Sequence, residues 1–197
     1  MFGNDVMFLQ RFLACAGCYH ARIDGLFGPV TDQALLDFDN RVDQIAAQRG
    51  RFDSRSEACI ATLLPGAQDL ARQFLAAAKA SDLGGATIKI ISGTRTYAEQ
   101  SVIYQQGRTR PGKIVTRAGP GQSNHNFGIA WDVGLFQGSA YLDESPVYRT
   151  LGPVGKGLGL EWGGDWSSIV DVLHYQMATG MQLTQVRRAF ESGALHV

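Results

Sequence analysis

The chain has 197 residues and a mass of 21.3 kDa, which at ~100 to 200 residues per domain leaves room for one full domain and a small appendage. With 45% hydrophobic and only 18% charged residues, it can bury a core, which excludes a disordered or fibrous chain. Lys plus Arg and Asp plus Glu number 18 each, so no net basic field draws the protein to nucleic acid, and no apolar run approaches the ~20 residues that would cross a bilayer.

In chain order, Val6, Leu9, Phe12 and Leu13 fall at helical spacing and predict a first helix. Asp5 stands where a secretion signal carries basic residues, and Gln10 and Arg11 interrupt the apolar stretch, so no signal peptide is expected. The run Ile23 to Pro29 (IDGLFGP) breaks the periodicity as a turn. A second helix should follow, with Pro29 in its first turn, Thr31 as its cap and Ala34, Leu35, Phe38, Val42 and Ile45 on one stripe. The polar run 50–56 (GRFDSRS) reads as a linker, placing a boundary near residue 55 between a short all-α lobe, 1–55, and a second domain, 56–197.

Beyond it, Ser54 to Glu57 has the form of a capping box, and Ile60, Leu63, Leu64, Leu70, Phe74 and Leu75 predict two helical pieces divided at Pro65-Gly66. Residues 87–92 (TIKIIS) predict a strand that ends at Gly93, and Thr96 to Glu99 a second capping box opening a helix that stops near Gly107. A long loop over 108–124, a short strand over 128–135, a Gly-rich stretch over 152–164 and a terminal helix from Leu183 to Ser192 complete the chain. The second domain is therefore mixed α and β.

Two of the four histidines, His125 and His174, sit in unusual company. A catalytic zinc takes three protein ligands from His and carboxylate and leaves a fourth position open, and His125, Asp132 and His174 would complete such a set. Asp132 supports it, because a carboxylate between Trp131 and Val133 is costly to bury without a cation or several donors. A hydrolytic site also needs a base and a donor to the developing oxyanion. Asp171, three residues before His174, is placed for the first role, its alternatives being a helix cap or a surface carboxylate. Arg95, at the end of TIKIIS, suits the second, with an ordinary surface ion pair as the alternative. Glu161 and Asp165 are expected to orient ligands or backbone rather than to catalyse. Three cysteines, Cys15, Cys18 and Cys59, are too few for a disulfide scaffold and fit a reducing cytosol. Cys15 and Cys18 form a C-x-x-C with no second pair to complete a structural metal site, which makes buried small hydrophobes the expectation there.

The run Ser92 to Gln100 (SGTRTYAEQ), Gly107-Arg108-Thr109, SNHNFGIAWD over 123–132, EWGGDW over 161–166 and D-x-x-H over 171–174, in that order, resemble the zinc-dependent D-Ala-D-Ala carboxypeptidase group, in particular its L-alanyl-D-glutamate peptidase branch found in phage endolysins. The resemblance covers about residues 60 to 180. It implies a small α+β domain with an antiparallel sheet, zinc held by His125, Asp132 and His174, Asp171 as base and Arg95 as the holder of the substrate carbonyl or oxyanion. Leu173, Tyr175 and Gln176 depart from the residues frequent in that group without removing a ligand. Gln100, Ser123 and Trp162 are expected to line the cleft. The N-terminal run from Leu9 to Phe38, centred on IDGLFGP, resembles the helical peptidoglycan-binding module.

The expectation is a monomeric zinc endopeptidase that hydrolyses the L-Ala-D-Glu bond of peptidoglycan stem peptides, with neither nucleic acid nor an inserted membrane segment involved. It would be made in the host cytoplasm as a phage endolysin and reach the wall by holin-dependent or other export, with a bacterial effector delivered by a secretion system as the alternative. The alternative within the class is a D-Ala-D-Ala-type carboxypeptidase or other wall-peptide peptidase, and outside it a non-catalytic wall-binding protein.

Overall fold

The computed structural model describes residues 1–3 and 5–197. Helices α1 (Val6–Cys15), α2 (Pro29–Arg49), α3 (Ser54–Ile60) and α4 (Pro65–Lys79) precede strand β1 (Thr87–Ser92) and helix α5 (Tyr97–Gln105). After a long loop, β2 (Ala130–Gln137) and β3 (Ala140–Leu142) form a hairpin, followed by α6 (Val147–Gly157), β4 (Leu160–Trp162), β5 (His174–Met177) and α7 (Leu183–Glu191). The strands make one antiparallel sheet in the order β1-β2-β5-β4, with β3 paired to the far end of β2. The fold is thus α+β, with four helices leading into a sheet-centred part.

Several helix ends are set by different residues from those the sequence pattern suggests. Gly28, not Thr31, is the N-cap of α2. Thr31 is buried one turn in, where its hydroxyl lies 3.3 Å from the Gln10 amide. Asp53 rather than Ser54 caps α3, accepting from the Ser56 amide at 3.2 Å and the Ser56 hydroxyl at 2.7 Å. Glu57 instead accepts from the Phe52 amide at 2.7 Å and forms a two-pronged pair with the fully buried Arg72, both contacts at 2.8 Å. The Thr96–Glu99 capping box forms as expected. The Gly-rich stretch 152–164 is helical as far as Gly157, the end of α6. Its glycines admit aromatic rings: a Cβ on Gly152 would lie 2.5 Å from Trp162, and one on Gly155 2.6 Å from Tyr175.

Two apolar clusters result. One joins α4, α6 and the inner face of the sheet through Phe74, Leu75, Ile88, Ile90, Trp131, Val133, Leu135, Tyr148, Leu151 and Tyr175. The other joins α1, α2 and α7 through Phe8, Phe12, Phe38, Val186 and Phe190, and it also takes in Leu64, Phe127 and Ile129. Cys15 is buried in this second cluster, its Sγ 3.7 Å from the Phe190 carbonyl, as expected of a small hydrophobe.

Candidate metal centre

Local geometry brings the three sequence-predicted ligands together. The alternation of β2 sends Trp131 and Val133 into the sheet core and Asp132 to the opposite face. Asp132 pairs directly with His174 on β5, so their side chains stand side by side on that face. On the other flank the β1–β2 register shifts between Ile90 and Ser92, next to Asp132; such bulges re-aim side chains beside sites. His125 comes from a 3-10 turn, Asn124–Phe127, that ends at Gly128 in the left-handed conformation, φ +73°. A side chain at Gly128 would also meet Phe12 and Leu64 at 2.9 Å, so the glycine lets the turn press onto the helical core.

The ligand atoms converge closely. His125 Nε2 lies 3.1 Å from Asp132 Oδ1 and 3.2 Å from His174 Nδ1, and His174 Nδ1 lies 3.2 Å from Asp132 Oδ1. Tetrahedral zinc with bonds of ~2.0 to 2.1 Å holds its ligand atoms ~3.3 to 3.4 Å apart, so the spacing fits that ion. The proton inventory fits it too. His125 Nδ1 faces the Gly93 carbonyl at 2.7 Å, an acceptor only, so this nitrogen carries the proton. His174 Nε2 faces Gln176 Oε1 at 2.9 Å, and the Gln176 amide is oriented by donating to Glu161 Oε2 at 2.6 Å, again an acceptor only. His174 Nε2 is therefore the protonated nitrogen. Both inner nitrogens then present lone pairs to each other and to a carboxylate oxygen, a set of donors that a cation satisfies and that outer hydrogen bonds hold in place.

Around this set lies a cavity of about 440 Å³, lined among others by Arg95, Arg117, Ser123, Trp166, Ile169 and Asp171. Arg95 Nη2 is 3.5 Å from Asp132 Oδ2, and its backbone amide donates to the His125 carbonyl at 2.9 Å, fixing the guanidinium beside the ligands. Burial, reinforced by the nearby Asp132, holds the Asp171 carboxyl above the ordinary carboxylate range. The turn that carries Asp171 and His174 is cradled by the EWGGDW segment. Trp162 Nε1 donates to the Val172 carbonyl at 3.0 Å, and the Asp171 amide to the Gly163 carbonyl at 2.9 Å. A Cβ on Gly163 would strike the Asp171 carbonyl at 2.5 Å.

Not every expected residue reaches the cavity. Ser123 lines it and also caps the His125 turn. Gln100 does not line it: its side chain is fully buried and donates to the Ala118 carbonyl at 2.8 Å, bracing the loop from behind. Trp162 does not line it either, since its ring fills the space left by Gly152 in the sheet core. Glu161 orients Gln176, as a residue holding a ligand in place, whereas Asp165 pairs with Lys156 at the surface. Trp166 and Gln176 are the residues sequence reasoning missed. The Trp166 ring lies against the His174 ring at 4.9 Å, tilted by 46°, and Gln176 sits two residues past His174 on the same strand face, a period-2 signal visible in HYQ.

The chain has informative relatives. Residues 116–177 match the family described as D-alanyl-D-alanine carboxypeptidase, and residues 2–42 match that of the peptidoglycan binding domain. Over 103 residues it is 39% identical to the peptidoglycan L-alanyl-D-glutamate endopeptidase CwlK of Bacillus subtilis (strain 168), covering 47% of this chain and 62% of that relative's length. Among solved structures it is similar to the L-Ala D-Glu endopeptidase ChiX of Serratia marcescens, at 20% identity over 67% of this chain and 92% of that one, TM-score 0.48. A mutant of the D,D-pentapeptidase VanY from a VanB-type vancomycin resistance cassette, in complex with Zn(II), is 19% identical over 66% of this chain and 79% of that one, TM-score 0.42.

Proposed function

We propose, for a chain whose residues 116–177 match the D-alanyl-D-alanine carboxypeptidase family, a zinc-dependent endopeptidase that hydrolyses the L-Ala-D-Glu bond of peptidoglycan stem peptides. The observation that carries this reading is the convergence of two unprotonated ring nitrogens and a carboxylate oxygen in the same cavity as a second, half-buried carboxylate, Asp171. The choice of bond follows the relative at 39% identity. The peptidoglycan-binding match over residues 2–42 supports the same substrate.

When bound, zinc supplies a Lewis acid that makes water a nucleophile near neutral pH. His125, Asp132 and His174 would hold it, the two imidazoles locked in one tautomer by Gly93 and Gln176. Asp171 would accept the proton of the attacking water and return it to the leaving amine. Arg95 donates to the substrate carbonyl oxygen as charge gathers on it. Ser123 lies on the cavity wall, positioned to contact the peptide. A lytic role as a phage endolysin, made in the host cytoplasm and released to the wall, is the finer form of this reading. Its check is whether expressing the chain lyses bacteria only when the inner membrane is permeabilised.

The deciding experiment digests purified peptidoglycan with the zinc-loaded protein, with and without a chelator, and identifies new termini by mass spectrometry. New N-terminal D-Glu that vanishes on chelation is expected; products ending at D-Ala would assign the D-Ala-D-Ala alternative instead. Asp171→Asn should bind zinc normally yet lose ~10²- to 10⁴-fold in turnover, the usual contribution of a general base. Full turnover in that variant would remove Asp171 from its role.

A further inference from the structure

The cavity holds a second guanidinium that the reaction as described does not use. Arg117 lines the same wall as Thr116 and Ala118. The carboxylates that share the cavity have other partners: Asp132 lies 3.5 Å from Arg95 and belongs to the ligand set, and Asp171 accepts from the Leu173 amide at 3.2 Å. Among the described residues, Arg117 forms no ion pair.

Arg117 is exposed, yet its backbone is held on both sides. Arg108 Nη2 donates to the Thr116 carbonyl at 3.0 Å, Gln100 Nε2 to the Ala118 carbonyl at 2.8 Å, and the Ala118 amide to Thr116 Oγ1 at 3.2 Å. Further along, the Gly119 amide donates to Gln122 Oε1 and the Gly121 amide to Asn126 Oδ1, both at 3.0 Å. Asn126 Nδ2 in turn donates to the Arg95 carbonyl at 2.8 Å. The loop that presents Arg117 is thus stitched to the His125 turn and to Arg95. A long side chain on a fixed base at the mouth of a cavity samples far less space than one on a free loop, which lowers the entropy lost on binding.

We infer that Arg117 recognises the free carboxylate next to the scissile bond and so makes the cleft selective for an acidic residue on the leaving side. This inference rests on the L-Ala-D-Glu reading. A D-Glu linked onward through its side chain keeps its α-carboxylate on the carbon that bears the scissile nitrogen. That carboxylate enters the cavity whenever the bond does. Zinc with two arginines outweighs Asp132 and Asp171 in charge, so an anion on the substrate is favoured there. A guanidinium fork matches the two oxygens of a carboxylate, which an amide at the same place does not reproduce.

The test compares two synthetic stem peptides, one with D-Glu and one with its α-amide, D-isoglutamine, on zinc-loaded wild type, Arg117→Ala and Arg117→Lys. Wild type should favour the acid, and Arg117→Ala should lose roughly 10- to 100-fold in kcat/KM on the acid, the range of a charge-assisted hydrogen bond. That loss should appear mainly in KM, with little change on the amide, so that discrimination collapses towards one. Arg117→Lys should keep part of the preference. Equal losses on both peptides, or none on either, overturn the inference while leaving the endopeptidase reading intact. If zinc-loaded wild type cleaves neither peptide, the endopeptidase reading itself fails and this inference fails with it.

Discussion

The two apolar cores differ in what they support. The sheet core is a closed layer between the sheet and α4 and α6, and it holds Asp132 and His174 only by gripping their neighbours Trp131, Val133 and Tyr175. The helical core is built mostly from α1, α2 and α7, yet it reaches into the site segment through Phe127 and Ile129. The chain from Phe127 to Leu135 therefore crosses from one core to the other, and the ligands stand at the crossing. His125 depends on the helical core and Asp132 and His174 on the sheet. The N-terminal helices are thus part of the foundation of the metal centre as well as a match to a binding module.

The largest way to break this comparison is to hollow each core in turn. Phe12→Ala should cost ~3 to 5 kcal/mol and Leu151→Ala ~2 to 5 kcal/mol in denaturant unfolding. Only Phe12→Ala should also weaken zinc affinity in a chelator competition, because Phe12 packs under Gly128. Equal effects of the two on zinc would erase the distinction between the cores. Next comes the tie across residues 50–57. Arg72, donating to the Gly50 carbonyl at 2.9 Å and to Glu57, fastens the end of α2 to α3 and α4. Arg72→Met should cost about 3 kcal/mol, the low end for a broken buried pair, since Glu57 keeps some solvent contact.

The same pair predicts an acid signature. Burial opposes it, but the Arg72 hydrogen bonds win and hold the Glu57 carboxyl below its ordinary range. The stability it contributes is complete above the unfolded carboxylate pKa and is lost as pH falls through the depressed folded value. Arg72→Met should flatten that acid limb in a pH series of unfolding midpoints. Smallest of all, Phe27→Ser on the exposed turn between α1 and α2 should stay within ~0.5 kcal/mol, since that ring is half in solvent. A larger loss would mean that the turn packs on something.

Much of the site was legible because its chemistry is local in sequence. His125 and Asp132 fall within one ten-residue run and Asp171 and His174 within four, and strand alternation alone separates Asp132 from the core face. The Thr96 cap and the TIKIIS strand were equally local. What escaped depends on partners distant in the chain. Helix α6 carries glycines that local propensity reads as loop, but their role is to admit Trp162 and Tyr175, and packing overrides propensity there. Gln100 and Trp162 looked like cleft residues by their company, and only tertiary burial shows that they brace the cleft from behind. Gln176 stood out as a departure from a pattern, and its partner Glu161 becomes visible only when β4 pairs with β5.

The buried Cys15 has a consequence for redox chemistry. Its thiol is pushed up to about 11 by burial, and burial raises those of Cys18 and Cys59 as well. Thiolate is the form that attacks oxidants and disulfides. At neutral pH little of the Cys15 sulfur is thiolate, so the helical core holds a slowly reacting thiol.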